Sequence, residues 1–303
     1  MPTPVWFKNV TVFNLDKYPE LTTAELEAAL AGHTFTPCGS LDKEQFGFTP
    51  VFGQTDLVRK TEDVYWVEVK FEQKVVPGAI VKRMLTERVI KLEAEEARKV
   101  GKKEKKEMKE SLIDELLAKA LATQSSVVAM IDPTKKYIFV NSTSTKKTDT
   151  ILSLFLHSLD GLEISRLAFD NSIATNMADL LVNDEASLFK TESSLLLKGP
   201  GSPAASVRFA KHDLQKPEVL AHLKAGLRVA EMELSYNERI GFVLTEPFSI
   251  KRMNFTDQVQ DELGDDPDNA DEMLDGILVL QTGELRELVS DLRTWLQKEA
   301  ETK

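Results

Sequence analysis

The sequence predicts an α+β fold in which mixed or antiparallel sheets carry a projecting pair of basic helices. Short runs rich in β-branched and aromatic residues occur in the first third of the chain and again over residues 205–255, which suits strands joined by turns. Between these regions, residues 77–121 place apolar residues at helical spacing within a dense run of lysine and glutamate. The chain has 303 residues and a hydrophobic content of 42%, enough to build a substantial core.

The first portion, residues 1–76, is expected to mix strands and loops around one helix. Residues 5–13 and 63–71 are rich in the residue types that favour strands. Residues 35–40, with the sequence FTPCGS, and residues 47–50 contain the glycine and proline signals of turns, so both are predicted to be loops.

The helix of this portion is marked by its own start and stop signals. Thr22 and Glu25 have the spacing of a capping box, in which each side chain bonds the backbone of the other. The helix is expected to continue through Leu26 and Leu30 and to end at Gly32.

The second portion, residues 77–122, is predicted to form the two basic helices. Each arm of ~20 residues would span about 30 Å. Gly101 lies between the two periodic patterns and is expected to cap the end of the first helix. The apolar positions that define the two patterns are Ile80, Met84, Leu85, Val89, Leu92, Met108, Leu112, Leu116 and Ala120.

The third portion, residues 123–198, is predicted to contain a strand–turn–strand unit followed by a helix. Residues 126–131 and 136–141 match the strands, and residues 147–159 match the helix. The pattern over residues 171–197 fits neither type clearly. The helix is expected to direct inward Ile151, Leu152, Phe155 and Leu156.

The fourth portion, residues 199–303, is predicted to form an antiparallel sheet and a closing helix. A glycine- and proline-rich loop at residues 199–203 precedes it, and residues 257–275 are expected to be an acidic connection. The closing helix covers residues 282–296, with leucines on one face. The predicted strands are residues 205–210, 227–234, 239–245 and 249–255.

Charge is distributed unevenly along the chain. The net charge is -11, yet residues 77–121 hold twelve lysines and arginines against nine acidic residues. Cations gathered at one place on an acidic protein can present a local surface to nucleic acid. Mixed lysine and glutamate runs also occur as solvated helix faces that are held by i,i+4 pairs, so both interpretations stay open at this point.

Several classes of protein are disfavoured by what the sequence lacks. No apolar run reaches the ~18 residues of a membrane span, the N-terminus does not resemble a secretory signal, and the single cysteine, Cys38, cannot form an internal disulfide. These features favour a cytoplasmic protein without membrane contact. Zinc, nucleotide, dinucleotide and hydrolase motifs do not occur, and an EF-hand fails because Ala270 takes a ligand position. We therefore expect a non-enzymatic protein with no cofactor or metal.

Five segments together resemble the bacterial RdgC family of recombination-associated proteins. They are residues 6–9 (WFKN), 35–40 (FTPCGS), 47–50 (GFTP), 91–99 (KLEAEEARK) and 282–285 (TGEL). The resemblance implies a horseshoe-shaped monomer that pairs into a ring-shaped homodimer. Such a ring would encircle double-stranded DNA without sequence specificity, associate with the nucleoid and restrain the RecA recombinase by occupying DNA.

The resemblance also implies which residues would line the ring and close it. Leu117 and Leu121 are expected to supply the apolar centre of the closure, although some relatives carry phenylalanine where this chain has Leu121. An acidic exterior with a basic lining would confine phosphate contacts to the hole. The predicted DNA-binding residues are Lys82, Arg98, Lys99, Lys102, Lys105, Lys109, Lys119 and Lys211.

A second hypothesis from another class remains. The helical pair could dock a partner protein in the cytoplasm, with its lysines and glutamates keeping the pair soluble and without any role in DNA binding. The sequence pI of about 5.1 favours this hypothesis, whereas the local excess of cations and the resemblance favour DNA binding.

Overall fold

The structure is a computed structural model, which describes residues 5–183, 188–201, 205–263 and 270–297. These residues form two sheets, in which every strand pairing is antiparallel, and eight α-helices. The α+β class predicted from the sequence is confirmed.

The first sheet contains seven strands. β2 and β3 pair with successive parts of β4, and β5, β6, β1 and β7 follow in that order across the sheet. The strands are β1 (Thr11–Lys17), β2 (Glu44–Thr49), β3 (Val58–Thr61), β4 (Val64–Lys74), β5 (Ala122–Asp132), β6 (Tyr137–Val140) and β7 (Glu163–Arg166).

The second sheet contains five strands in the order β12, β11, β10, β8 and β9. Backbone hydrogen bonds between Val10 and Ile250 join it to the chain just before β1, so the two sheets are directly connected. The strands are β8 (Phe189–Lys198), β9 (Ser206–Phe209), β10 (Arg228–Tyr236), β11 (Ile240–Thr245) and β12 (Ile250–Phe255).

The helices differ widely in length, and a short 3-10 turn at Val51–Gly53 accompanies them. The α-helices are α1 (Thr23–Ala31), α2 (Gly78–Glu96), α3 (Lys102–Leu117), α4 (Thr145–Ser158), α5 (Ile173–Asn183), α6 (Pro217–Lys224), α7 (Asp257–Asp261) and α8 (Ala270–Gln297).

The larger hydrophobic core joins both sheets to α8. Its fully buried side chains include Trp66 and Met130 from the first sheet, Phe242 from the second, and Leu285 and Leu288 from α8. Because one continuous cluster contains all three elements, α8 packs between the sheets, and the leucine face predicted for the closing helix is confirmed.

The smaller core covers the opposite face of the first sheet. Val67 and Val69 of β4 pack there with Leu26 and Leu30 of α1 and with Phe155 of α4. The capping box predicted at the start of α1 is confirmed, since the N–H of Glu25 donates to Thr22 Oγ1 and the N–H of Thr22 donates to the Glu25 carboxylate.

Charged side chains fix α8 against the first sheet. Arg286 donates to Asp63, at the turn before β4, and to Asp132, which is completely buried at the end of β5. Near the start of α8, Arg59 of β3 bonds Asp271 and Asp275 at 2.8 Å each. A buried carboxylate is tolerated only when it is paired and hydrogen-bonded, so Arg286 is needed once Asp132 is inside.

The pair formed by α2 and α3 is inserted between two neighbouring strands. β4 and β5 pair from Tyr65 with Ile131 up to Lys74 with Ala122. One step further, the N–H of Val75 donates to the carbonyl oxygen of Leu121 at 3.2 Å. The two helices therefore replace the turn of a long β-hairpin.

One strand prediction and one loop prediction in the first portion were wrong. Residues 5–10 do not form the predicted first strand, which runs instead over Thr11–Lys17, because Lys8 and Val10 bond the backbone of β12. Residues 47–49 are strand rather than loop. The backbone of Phe35 crosses β2 so closely that a Cβ on Gly47 would lie 2.5 Å from its nitrogen, so glycine serves close packing here.

The acidic connection predicted at residues 257–275 was largely wrong. Residues 257–261 form α7, residues 264–269 lie outside the described residues, and α8 begins at Ala270 rather than at residue 282. Asp271 and Asp275 are not merely solvated, because Arg59 pairs with both. Residues 202 and 203 of the predicted loop also lie outside the described residues.

Other elements were predicted well or not at all. The strands predicted at residues 63–71, 126–131, 136–141 and over 205–255 are confirmed within a few residues, apart from the added helix α6. The ambiguous segment 171–197 resolves into α5 and β8, and β7 was not predicted. In α4, Leu156 is 49% exposed rather than inward, and Leu154 is buried instead.

The four-portion division of the chain stays a prediction; the first sheet takes its strands from the first and third of these portions. Across the described parts of the chain, none of the helices combines the length and the apolar character that crossing a membrane requires.

Candidate nucleic-acid interface

The turn between α2 and α3 is held by Arg98. Its guanidinium donates to both carboxylate oxygens of Glu104 at 2.7 Å and to Glu96 at 2.6 Å. The N–H of Val100, a buried residue, donates to Glu93. These bonds hold a tight turn in which Ala97 adopts a left-handed conformation with φ of 49°.

The prediction that Gly101 caps the end of α2 was wrong. Ala97 ends α2 in the left-handed conformation that usually favours glycine, and Gly101 begins α3 with φ of -72°. The ion pairs of Arg98 lie across this turn, and sequence spacing alone does not reveal them.

The Arg98 ion pairs also change protonation. Hydrogen bonds from the guanidinium hold the pKa of Glu104 below its ordinary value, and bonds to Glu104 and Glu96 raise the pKa of Arg98. Both partners therefore stay charged at neutral pH. A guanidinium that already serves two carboxylates has fewer donors left for a phosphate, so Arg98 acts first in forming the turn.

The two helices pack through a narrow apolar seam. Val81 and Val89 of α2 and Leu112 of α3 are buried, and Arg88 of α2 bonds Glu115 of α3 across the pair. This ion pair holds the pKa of Glu115 below its ordinary value. The seam uses so few residues that most of each helix surface faces solvent.

Some cations of the pair are neutralised along their own helices. In each pair a side-chain nitrogen lies close to the glutamate Oε1 four residues further on. The distances are 3.9 Å from Arg83 Nε to Glu87, 3.8 Å from Lys91 Nζ to Glu95 and 3.9 Å from Lys106 Nζ to Glu110. These i,i+4 pairs are the solvated faces that mixed lysine and glutamate runs predict. They account for part of the charge run and leave the remaining lysines to be considered separately.

Lys102, Lys105 and Lys109 share one face of α3, because they are spaced by three and four residues. All three are exposed, as are Lys82 in α2 and Lys99 in the turn. Within residues 5–183, 188–201, 205–263 and 270–297, no carboxylate lies within 4.0 Å of any of these five ammonium groups. The structure thus places five of the eight predicted DNA-binding residues on one helical pair as unpaired cations.

The root of the pair, where it meets β4 and β5, is apolar and exposed. Leu121 is 85% exposed, and Val75, whose N–H bonds its carbonyl, is 52% exposed. Ile80 in the first turn of α2 is 39% exposed. Leu117 is only 2% exposed, so it does not belong to this surface. Lys119 lies on this surface, close to Glu115.

Lys211 lies apart from the pair, directly after β9 at an edge of the second sheet. Its backbone is left-handed, with φ of 53°, and the next residue, His212, bonds the backbone of β8. Arg208 and Arg252 line a shallow pocket on this sheet, together with Glu231. The sequence analysis missed these two arginines because single cations inside strand patterns give no signal of clustering.

The FTPCGS segment lies across one face of the first sheet near the root of the pair. Glu72 of β4 accepts from the Gln124 side chain and from the N–H of Cys38, and these bonds lower its pKa. Lys74 donates to the carbonyl oxygens of Gly39 and Ser40. The segment therefore fixes the strands from which α2 and α3 depart.

Among the residues that the structure describes, no group of three or more histidine, cysteine, aspartate or glutamate side chains is placed to hold a metal ion. Cys38 is half-buried, and burial raises the pKa of its thiol, which disfavours the reactive thiolate.

The fold and this surface define an α+β protein that presents unpaired lysines on a helical pair set into a β-hairpin. A family model described as "Putative exonuclease, RdgC" matches residues 5–299. The chain therefore belongs to the RdgC family, as the resemblance indicated.

Curated relatives carry the name "Recombination-associated protein RdgC". Those of Shewanella sp. (strain ANA-3) and Shewanella oneidensis are each 35% identical over 294 residues, which cover 95% of this chain and 96% of theirs. The relative of Shewanella baltica (strain OS195) is 36% identical over 270 residues, or 87% of this chain and 89% of its own. The chain thus matches recombination-associated proteins over nearly its full length.

Proposed function

We propose that this protein binds double-stranded DNA without sequence specificity through the α2–α3 pair. The observation that carries the proposal is the set of unpaired lysines, above all Lys102, Lys105 and Lys109 on one face of α3. Along a helix these three span about 10 Å. A duplex carries one negative charge for every ~1.7 Å of its axis, so this face can meet several phosphates at once.

The negative charge of the rest of the protein supports DNA contact at the α2–α3 pair rather than at other surfaces. The chain as a whole is strongly acidic, so a polyanion is repelled from most of its surface. Phosphate contacts carry no base information, since sequence is read at the base edges in the grooves. Lysines on a solvated helix face therefore suit binding that ignores sequence.

We further propose that two copies close into a ring around the duplex. The exposed apolar root of the pair, formed by Val75, Ile80 and Leu121, supports a two-fold contact in which each copy buries the same patch. Leu121 would lie at its centre, with Leu117 buried beneath. A ring that occupies DNA in the nucleoid would restrain RecA by denying it the duplex. The name that the relatives carry supports the link to recombination.

Two unrelated duplexes of equal length, titrated at several salt concentrations, test the DNA-binding proposal. We expect equal affinities and a steep linear fall of log affinity with log salt, about 0.9 per phosphate contacted. A flat salt response, or a marked preference for one duplex, would contradict the proposal. End-labelled DNA incubated with Mg²⁺ or with EDTA in parallel separates binding from the exonuclease activity that the family description names.

One observation favours a second candidate function, the docking of a partner protein. Ile90 is 62% exposed on α2, among polar neighbours. An Ile90→Ser variant would lose such a partner but keep its affinity for duplex DNA. If the purified chain shows no salt-dependent DNA binding, the docking function becomes the better explanation of the pair.

A further inference from the structure

Two aromatic rings lie side by side on the first sheet near the root of the helical pair, and one of them, that of Phe46, is exposed to solvent. Phe46 of β2 is opposite Phe71 of β4 in the strand register, with ring centroids 6.3 Å apart. Ser125 of β5 is the next residue across. We call the surface formed by Phe46, Phe71, Ser125 and Lys147 the Phe46–Phe71 shelf.

The shelf begins where the smaller core ends. In the row before it, Phe48 is buried and stacks on Phe155 of α4 with centroids 5.8 Å apart. In the shelf row, Phe46 is 42% exposed. Its ring therefore lies partly in solvent and is available to contact another molecule.

A lysine lies over the ring of Phe71, which is itself partly buried against the smaller core. Lys147 Nζ lies 5.4 Å from the centroid of Phe71 and donates to Ser125 Oγ at 3.0 Å. Among the described residues it has no carboxylate partner within 4.0 Å, whereas the neighbouring Lys146 is paired with Glu44. One unneutralised ammonium therefore lies over Phe71, next to the exposed ring of Phe46.

We propose that the Phe46–Phe71 shelf binds single-stranded DNA by stacking an unpaired base on Phe46 while Lys147 contacts the adjoining phosphate. Stacking on aromatic side chains beside cations is the general mode of single-strand binding, and it tolerates any base. A duplex cannot use the shelf, because its base faces already stack on one another. The exposed side chains of Gln73 and Thr123, one row further along, offer hydrogen bonds to a base edge.

The position of the shelf suits recombination intermediates. Gln73 and Thr123 precede the final paired row of β4 and β5, from which the helical pair departs. The shelf thus lies beside the root of the pair, where a strand that separates from a duplex held by the pair could bind. This last step rests on the proposed duplex binding, whereas stacking at the shelf does not.

The test compares a 20-nucleotide oligo(dT) with an oligonucleotide of equal length and charge in which every site is abasic, so that no base remains to stack on Phe46. Fluorescence anisotropy with the full chain should show about 5- to 150-fold tighter binding of oligo(dT), the range that one base–aromatic stack contributes. Phe46→Leu keeps an apolar side chain but removes the ring, so it should abolish this ratio. Leu41→Ala, which changes an apolar residue that is 64% exposed, should preserve the ratio.

Duplex affinity is measured on the same proteins. We expect Phe46→Leu to leave it within twofold, so a failure of duplex binding and a failure of the shelf give different results. An unchanged ratio in Phe46→Leu, or equal binding of both oligonucleotides by the wild-type protein, would overturn the proposal. So would a change of oligomeric state in Phe46→Leu by analytical ultracentrifugation, since it would make the shelf a protein interface.

Discussion

Arg98 and Glu104 form a two-bond ion pair, with both guanidinium-to-carboxylate distances at 2.7 Å, across the turn that joins α2 to α3. Arg98, which the resemblance assigned to DNA binding, is therefore already engaged in an ion pair within the protein. Its removal should first affect the turn and only then the binding of DNA.

Arg98→Gln should raise the pKa of Glu104 toward its ordinary value, because the hydrogen bonds that lower it disappear. In the wild-type protein the stabilisation from this pair is present above the ordinary glutamate pKa and is lost as pH falls through the lowered value. Titration of the Glu104 side chain by NMR checks this. Lys106→Gln, at the exposed i,i+4 pair with Glu110, is the control and should leave the Glu104 titration unchanged.

Replacing Lys102, Lys105 and Lys109 together by glutamine should weaken duplex binding and make it less dependent on salt. If each lysine neutralises one phosphate, the slope of log affinity against log salt should decrease by about 2.7. The matched triple Lys17, Lys43 and Lys60 lies outside the pair and should leave the slope nearly unchanged. Equal losses from the two triples, with unchanged circular dichroism, would contradict a localised surface.

Leu121→Glu should open the proposed ring, since two like charges would then face each other across the two-fold contact. Its dissociation from closed circular DNA should become faster, while its first association with short linear duplexes should change little. Ile90→Glu, on the same pair, serves as the control. If the wild-type protein leaves circles and linear DNA equally fast, and the substitution alters neither rate, encirclement is wrong.

Arg286→Gln should destabilise the fold by about 3–5 kcal/mol, because it leaves the buried Asp132 without its charge partner. Burial would raise the pKa of Asp63, but bonds from Thr134 and Arg286 outweigh it and lower the value. The stabilisation that the charged Asp63 gains from these bonds is therefore present at neutral pH and lost in acid. Urea unfolding at pH 7 measures the effect, and Arg83→Gln at an exposed pair should change stability by less than about 1 kcal/mol.

Gly47→Ala should destabilise the protein by about 1–3 kcal/mol, the usual cost of inserting a methyl group where no space exists. The new Cβ would lie 2.5 Å from the backbone nitrogen of Phe35, and backbone cannot move aside as a flexible side chain can. Gly241→Ala is the matched control, because it is also in a strand but has nothing within 4 Å of the added atom. Similar unfolding midpoints for the two variants would show that the Phe35 crossing is not tight.

The sequence predicted best those elements whose signals are local. The capping box at Thr22 and Glu25 and the leucine face of α8 were found because each depends on residues a few positions apart. The first strand was displaced because Val10 pairs with Ile250, some 240 residues away in sequence. Such partners leave no periodic trace.

The site was predicted in outline for the same reason. A run of lysines is visible in the sequence, so Lys102, Lys105 and Lys109 were found with their helix. Side-chain packing decides which of the predicted site residues stay available at the surface. Arg98 forms an ion pair with Glu104, and Leu117 is buried. The shelf at Phe46 joins β2, β4, β5 and α4, and no local pattern could have assembled it.

The hydrogen bond from Val75 to Leu121 has a consequence for how such a protein can change over generations. The α2–α3 pair leaves the first sheet after Val75 and returns to it at Leu121, and these two residues are hydrogen-bonded neighbours. The pairing of β4 with β5 therefore does not depend on the residues that lie between these two points. Mutation can therefore lengthen, shorten or recharge the arm while the attachment stays constant, and its reach can adapt separately from the body that carries it.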